Sequence, residues 1–167
     1  MASDATIRLA RGADIPQLVD MRYAFTFEDS APETTVVRPE FEGECRAFLE
    51  DAIASGQWRI WVAELDGQIV SHAFVAVIDK VPRPTRANAR IAYLTNVYTR
   101  PDHRGRGLGA EVIRRAQHAA REAAVELIIV WPSDESIEFY SREGFAKPDE
   151  PLIWDAIQEL AIPDAGP

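Results

Sequence analysis

The chain has 167 residues, 47% apolar and 27% charged, with a net charge of -9. That is ordinary composition for one globular domain with a substantial core, and too little chain for two. No apolar run approaches the ~20 residues of a membrane span, and the acidic balance argues against general nucleic-acid binding, which needs a basic face. The single cysteine, Cys45, excludes an intramolecular disulfide. It falls on an apolar helical stripe and reads as a buried, inert thiol. Met1 to Asp4 carry no basic region leading into an apolar core, so cytoplasmic location is the simplest expectation.

Thr6 to Leu9 alternate as a short strand. Asp14 then reads as a helix cap, with Pro16 in the first turn and Gln17 three residues on, a variant of the capping box. Ile15, Leu18, Val19, Arg22 and Phe25 follow at helical spacing. Thr26 to Pro39 has weak periodicity and reads as a surface loop carrying Glu28, Asp29 and Glu33. Glu40 to Ser55 is a second helix, with Phe41, Cys45, Phe48, Leu49, Ala52 and Ile53 on one stripe and Gly56 as the stop. Trp58–Glu64, the Asp66-Gly67 turn and Gln68–Asp79 form a hairpin. Lys80 to Ala89, with Pro82 and Pro84, is a connecting loop, and Arg90 to Thr99 is the next strand, so the middle of the chain is an antiparallel meander.

A glycine-rich turn follows. Arg104-Gly105-Arg106-Gly107-Leu108-Gly109 places three glycines at alternate positions before an amphipathic helix from Leu108 to about Glu122. The glycines let the backbone turn and approach a ligand closely. The helix start offers N–H groups without partners and a positive dipole end, which together suit a phosphate or pyrophosphate. Arg100, Arg104, Arg106, Arg114 and Arg115 gather around this loop in an otherwise acidic chain. Val125 to Trp131 is nearly all apolar, as in a central strand covered on both faces, and should run parallel to the strand 90–99. Ser133 or Asp134 caps a last helix to Arg142, ending at Gly144. Phe145 and Pro151 to Trp154 supply further short strands.

Two signatures in this order carry a family resemblance. Asn96-Val97-Tyr98-Thr99, Pro101 and Arg104 to Gly109 resemble motif A of the GNAT superfamily of acetyl-CoA-dependent N-acetyltransferases, in which a strand leads into R/Q-x-x-G-x-G/A. Ser136-Ile137-Glu138-Phe139-Tyr140-Ser141-Arg142-Glu143-Gly144-Phe145 resembles the family's A-x-x-F-Y-x-x-x-G-F. Thr99, Ser133 and Ser136 depart from the residues usual in the family. The resemblance implies an α/β (α+β) fold: a mixed, mostly antiparallel sheet of about six or seven strands flanked by about four helices. Strands 90–99 and 125–131 would splay apart at a bulge. It implies one domain over residues 1–155, with 156–167 as a tail. It also implies acetyl-CoA as co-substrate and direct transfer to a primary amine, on a small amine, an antibiotic or a peptide N-terminus. Dimers are common in the family, so a homodimer is among the arrangements it allows. No partner role for nucleic acid or membrane is expected.

Carried over residue by residue, the backbone of Val97, Tyr98 and Thr99 would pair with the pantetheine arm, and the Val97 N–H would steady the acetyl oxygen. Arg104, Gly105, Arg106, Gly107, Leu108 and Gly109 would cradle the pyrophosphate, with Ser133 and Ser136 as further contacts. Tyr140 takes the position of the acid that protonates the departing thiolate. The base has no motif. Glu28 is the leading candidate, with Asp29 and His72 beside it, and Asn96 could orient a water. No His/Cys/Asp cluster has metal spacing, so no metal is expected. Two alternatives stand: a CoA-binding sensor without turnover, and a nicotinamide oxidoreductase using the glycine loop.

Overall fold

Period-two alternation builds the sheet and an amphipathic helix covers each of its faces. The computed structural model describes residues 4–28, 37–85 and 89–146. Among them are five strands, β1 (Thr6–Leu9), β2 (Trp58–Leu65), β3 (Gln68–Asp79), β4 (Arg90–Thr99) and β5 (Val125–Val130). The helices are α1 (Ile15–Glu28), α2 (Arg38–Ser55), α3 (Leu108–Glu122) and α4 (Ile137–Arg142). The strands lie in one sheet in the order β1-β2-β3-β4-β5. The first four are antiparallel, and β5 returns parallel to β4 after the α3 crossover.

In β2, Ile60 and Val62 join Leu18, Met21 and Leu49 in a core under α1 and α2. Trp61 and Ala63 point the other way, into a core with Val112, Ile113 and Ala116 of α3. The same parity holds in β4 up to Leu94, with Ala92 and Leu94 on the α3 side. It then breaks. Thr95 pairs with Phe74 and Tyr98 with His72, so Asn96 and Val97 together face the single residue Ala73. This is a β-bulge, and it carries Asn96 into the left-handed region at φ 48°, which asparagine tolerates better than most residues. The surplus residue turns Tyr98 to the α1/α2 core while Val97 packs on the α3 side.

The strands of the meander, the crossover helix and the parallel return lie where the sequence places them. Several details differ. Residues Thr26 to Glu28 continue α1 as helix rather than starting a loop, and Asp29 and Glu33 lie outside the described residues. Asp14 does not cap α1. It sits in a 3₁₀ turn, Gly12–Asp14, where its carboxylate accepts from the Arg11 N–H at 2.6 Å and from Arg8 at 2.7 and 2.8 Å. Gln17 reaches instead to the β2–β3 hairpin, donating to the Gly67 carbonyl and accepting from the Ile69 N–H. Five strands are described instead of six or seven. Phe145 is not in a strand: its N–H donates to the Tyr140 carbonyl, closing the C-terminus of α4 over Gly144. Residues 151–154 lie outside the described residues. β5 pairs with β4 alone among the described strands, so an apolar run that suggested a central strand stands at the margin of the described sheet, with Leu127 47% exposed.

Candidate active site

Pairing between β4 and β5 runs from Arg90 to Leu94 and stops there. Beyond it β4 stays with β3, while β5 leads to Trp131 and the turn before α4. The strands part at the bulge, and the gap is the head of a cleft of about 680 Å³. Thr95, Asn96 and Val97 line one side of it, Val130 to Ser133 the other, and Ser136 and Tyr140 close the α4 end. The cleft continues between α1 and α2, past Arg22, Phe25, Phe41, Glu44, Cys45 and Phe48.

His72 pins the bulge from behind. It is wholly buried, and its Nδ1 lies 2.8 Å from the Asn96 carbonyl oxygen. A carbonyl only accepts, so Nδ1 carries a hydrogen. Burial, with Arg22 and Arg100 adding to it against hydrogen bonds to the backbone of Asn96 and of His72 itself, pushes the imidazole down to about 4. Its Nε2 and the Asn96 Oδ1 are buried with no hydrogen-bond partner among the described residues. A neutral ring with so low a pKa is a weak base near neutral pH. Its place behind the bulge makes it a positioning group.

Tyr140 is 8% exposed, between Phe139 and Phe145, and burial pushes its phenol up to about 12. It therefore holds its proton across the physiological range and is an acid. Ser133 and Ser136 are joined to each other, Oγ to Oγ at 3.2 Å, and Ser136 Oγ donates to the Ser133 carbonyl. Both face the cleft.

The glycine loop stands at the far end of β4. Gly107 precedes α3 at φ 78°, and Gly105 has φ 72°. The first intrahelical bond runs from the Glu111 N–H to the Gly107 carbonyl, so helical geometry leaves the N–H groups of Leu108, Gly109 and Ala110 without intrahelical acceptors. A Cβ on Gly109 would meet Thr99 Oγ1 at 3.3 Å and Phe139 at 3.5 Å. That close approach seats the start of α3 against both β4 and α4. The Leu108 side chain is buried in the α3 core, so only its amide faces outward.

Not every anticipated residue is brought to the cleft. Arg104 is turned toward α1: its Nε donates to the Thr99 carbonyl, its guanidinium pairs with Glu28, and its N–H donates to the Pro101 carbonyl. Glu28, the anticipated base, is held by Arg104 and by Tyr98, and the Arg104 hydrogen bond holds its carboxyl below the usual range. It lies with Arg100 and His103 in a separate hollow, away from Val97 and Tyr140. The Tyr98 ring is buried under Phe25, 5.2 Å away, which leaves its backbone alone for any ligand. Arg106 is exposed beside the loop. Cys45 is half-buried on the cleft wall rather than sealed in the core, and burial raises its thiol. Sequence reasoning missed the cleft wall formed by α1 and α2. Its only signal was Arg22, a charge at an apolar-face position of α1. Among the described residues no group of three or more His, Cys, Asp or Glu is placed to hold a metal, and no helix is long and apolar enough to cross a membrane.

This architecture recurs in known proteins. The crystal structure of a predicted acetyltransferase from Clostridium acetobutylicum, which contains acetyl-CoA, superposes with a TM-score of 0.75 at 28% identity, over 90% of this chain and 96% of that one. Glucosamine-6-phosphate N-acetyltransferase from Arabidopsis thaliana shares the fold at a TM-score of 0.68 and 18% identity, over 92% of this chain and 99% of that one. A Mycobacterium tuberculosis protein named as a probable N-acetyltransferase is 20% identical across 98% of this chain and 92% of its own length. The sequence model of the acetyltransferase (GNAT) domain matches residues 56–147. That span takes in both signatures, the bulge and the glycine loop, and the chain belongs to the GNAT acetyltransferase family.

Proposed function

We propose that the protein transfers the acetyl group of acetyl-CoA directly to a primary amine. One observation carries this reading: β4 and β5 part after Leu94 at a bulge whose backbone lines a cleft that also holds the Tyr140 phenol. The chain offers what an acyl-CoA would need. Backbone groups at Val97 and Thr99 lie beyond the end of the β5 pairing, where an extended arm can add as a strand. The amides opening α3, with Arg106 beside them, suit the pyrophosphate. Arg104 is left out of that set, because Glu28 and the Thr99 carbonyl already hold its side chain.

Acetyl-CoA supplies an activated acetyl group as a thioester. The Val97 N–H steadies the developing oxyanion, a contribution worth about 10²–10³ in rate for one such donor. The amine nitrogen forms its bond to the carbonyl carbon, the C–S bond breaks with its electron pair going to sulfur, and Tyr140 gives that sulfur a proton. The amine's own proton leaves to water. Glu28 is not needed for it, being ion-paired outside the cleft.

Calorimetric titration with acetyl-CoA and with NADH in parallel tests the ligand, and thiol release with amines tests transfer. Tyr140→Phe should keep acetyl-CoA affinity and slow turnover at least about tenfold, within the usual range for losing a general acid. Unchanged turnover removes Tyr140 from the mechanism; NADH binding in place of acetyl-CoA removes the proposal.

A further inference from the structure

Resting on the acetyl-transfer reading, the geometry points to a particular acceptor: an α-amino acid with an apolar, aromatic or branched side chain, bound through its carboxylate by Arg22. The part of the cleft remote from Ser133 is walled by rings, with Phe25 and Phe41 on α1 and α2 and Trp58 and Phe74 on the sheet. Such a surface takes up an apolar body, because burying it removes hydrocarbon from water. Among the described residues, two charged side chains line the cleft, Arg22 and Glu44.

Arg22 stands one helical turn beyond Leu18, at a position whose spacing otherwise faces the core. Its guanidinium carbon lies 5.7 Å from the Phe25 ring centroid. Its charge acts on His72, behind the bulge, adding to the fall in that pKa, and on Cys45, on the cleft wall, where it opposes the rise that burial causes. The cation thus lies between the bulge and the aromatic wall. No carboxylate among the described residues pairs with its N–H donors. A planar fork of donors in an aromatic setting matches a carboxylate.

The charges on the described lining weigh against other acceptors. A polycationic aminosugar needs several carboxylates, and Glu44 is the only acid on the lining among the described residues. A polar sugar phosphate would satisfy Arg22 but would leave the ring wall facing hydroxyl groups. A peptide N-terminus carries no carboxylate next to its amine.

The test uses the full chain with acetyl-CoA and a thiol-release assay. The panel is L-phenylalanine, L-leucine, phenethylamine, glycine, glucosamine 6-phosphate and tobramycin, on wild type and Arg22→Gln. Phenylalanine and leucine are expected to exceed phenethylamine and glycine at least about tenfold in kcat/KM. Arg22→Gln should lower kcat/KM for phenylalanine roughly 30-fold, mainly through KM, as expected for loss of a charge-assisted bidentate contact. It should leave phenethylamine within about twofold and acetyl-CoA affinity, read by calorimetry, unchanged. The inference is overturned by preference for phenethylamine, the sugar phosphate or tobramycin, by an equal loss on all acceptors in Arg22→Gln, or by acetyl-CoA binding with no turnover of phenylalanine or leucine. Failure to bind acetyl-CoA at all overturns the transfer reading itself, which separates the two.

Discussion

Replacing His72 with asparagine tests the bulge through its proton. The asparagine amide can keep a donor near the Asn96 carbonyl, but it cannot titrate. In the folded protein the imidazole is pushed from an ordinary 6.5 down to about 4. The folded pKa is therefore the lower one, and between the two values the unfolded chain binds the extra proton. Stability from this group is fully present above about 6.5, falls as the pH drops through that window, and falls no further below about 4. At 1.36 kcal/mol for each tenfold difference in proton affinity, wild type should lose roughly 2.5 kcal/mol from this residue between pH 7 and about pH 4.5. The assay is urea unfolding of both proteins at the two pH values. The cavity left by the smaller side chain offsets the variant equally at both, so the change in the difference isolates the proton. Curves that shift in parallel, with no pH-dependent difference, would show that His72 is not a buried neutral ring.

Gly107→Glu should leave a folded protein, because a Cβ there meets nothing within 4 Å and the cost is that of a φ of 78°, about 1–2 kcal/mol. Its carboxylate faces the proposed phosphate site, so acetyl-CoA affinity by calorimetry should fall at least about 100-fold; normal affinity in a folded variant refutes the loop assignment. Gly109→Val should weaken thermal stability by about 1–3 kcal/mol by overpacking against Thr99 and Phe139, and an unchanged melting temperature would mean that α3 is not seated there. Asp14→Ala strips Arg8 of two of its bonds and the Arg11 N–H of its acceptor. It should cost about 3 kcal/mol in urea unfolding at neutral pH. Arg8 holds the Asp14 carboxyl below its ordinary 3.8, so the wild-type advantage is present above that value and declines as the pH falls beneath it; an advantage that grows in acid contradicts the pairing.

Where one physical signal dominated, the sequence was easy to read. Gln68–Asp79, Arg90–Thr99 and Leu108–Glu122 are found at the expected boundaries because alternation or a strong amphipathic stripe defines them. The parting of the strands came from the motif resemblance: Asn96 and Val97 do not look like a bulge in an apolar run. Periodicity also misled. Phe48 sits on the apolar stripe of α2 yet is 45% exposed, because that stripe is divided between the core and the cleft. Arg104 matched its motif, but α1 runs on to Glu28 and draws the guanidinium to itself. Such a competition between partners distant in the chain is invisible until the helices are placed. Asp14 failed as a cap for a local reason, since Arg8 and the Arg11 N–H take its carboxylate.

The surplus residue in β4 has a consequence for how this protein could lose its activity. Deleting Asn96 would restore even alternation by setting Val97 opposite Ala73, and the side chains from Val97 to Thr99 would keep their sides. Tyr98 would stay in the company of Phe25 beneath α1, and Val97 in the territory of Val112. Closing the opening by this simplest genetic route would thus spare both interiors. Inactive descendants that still fold can therefore have lost the kink outright.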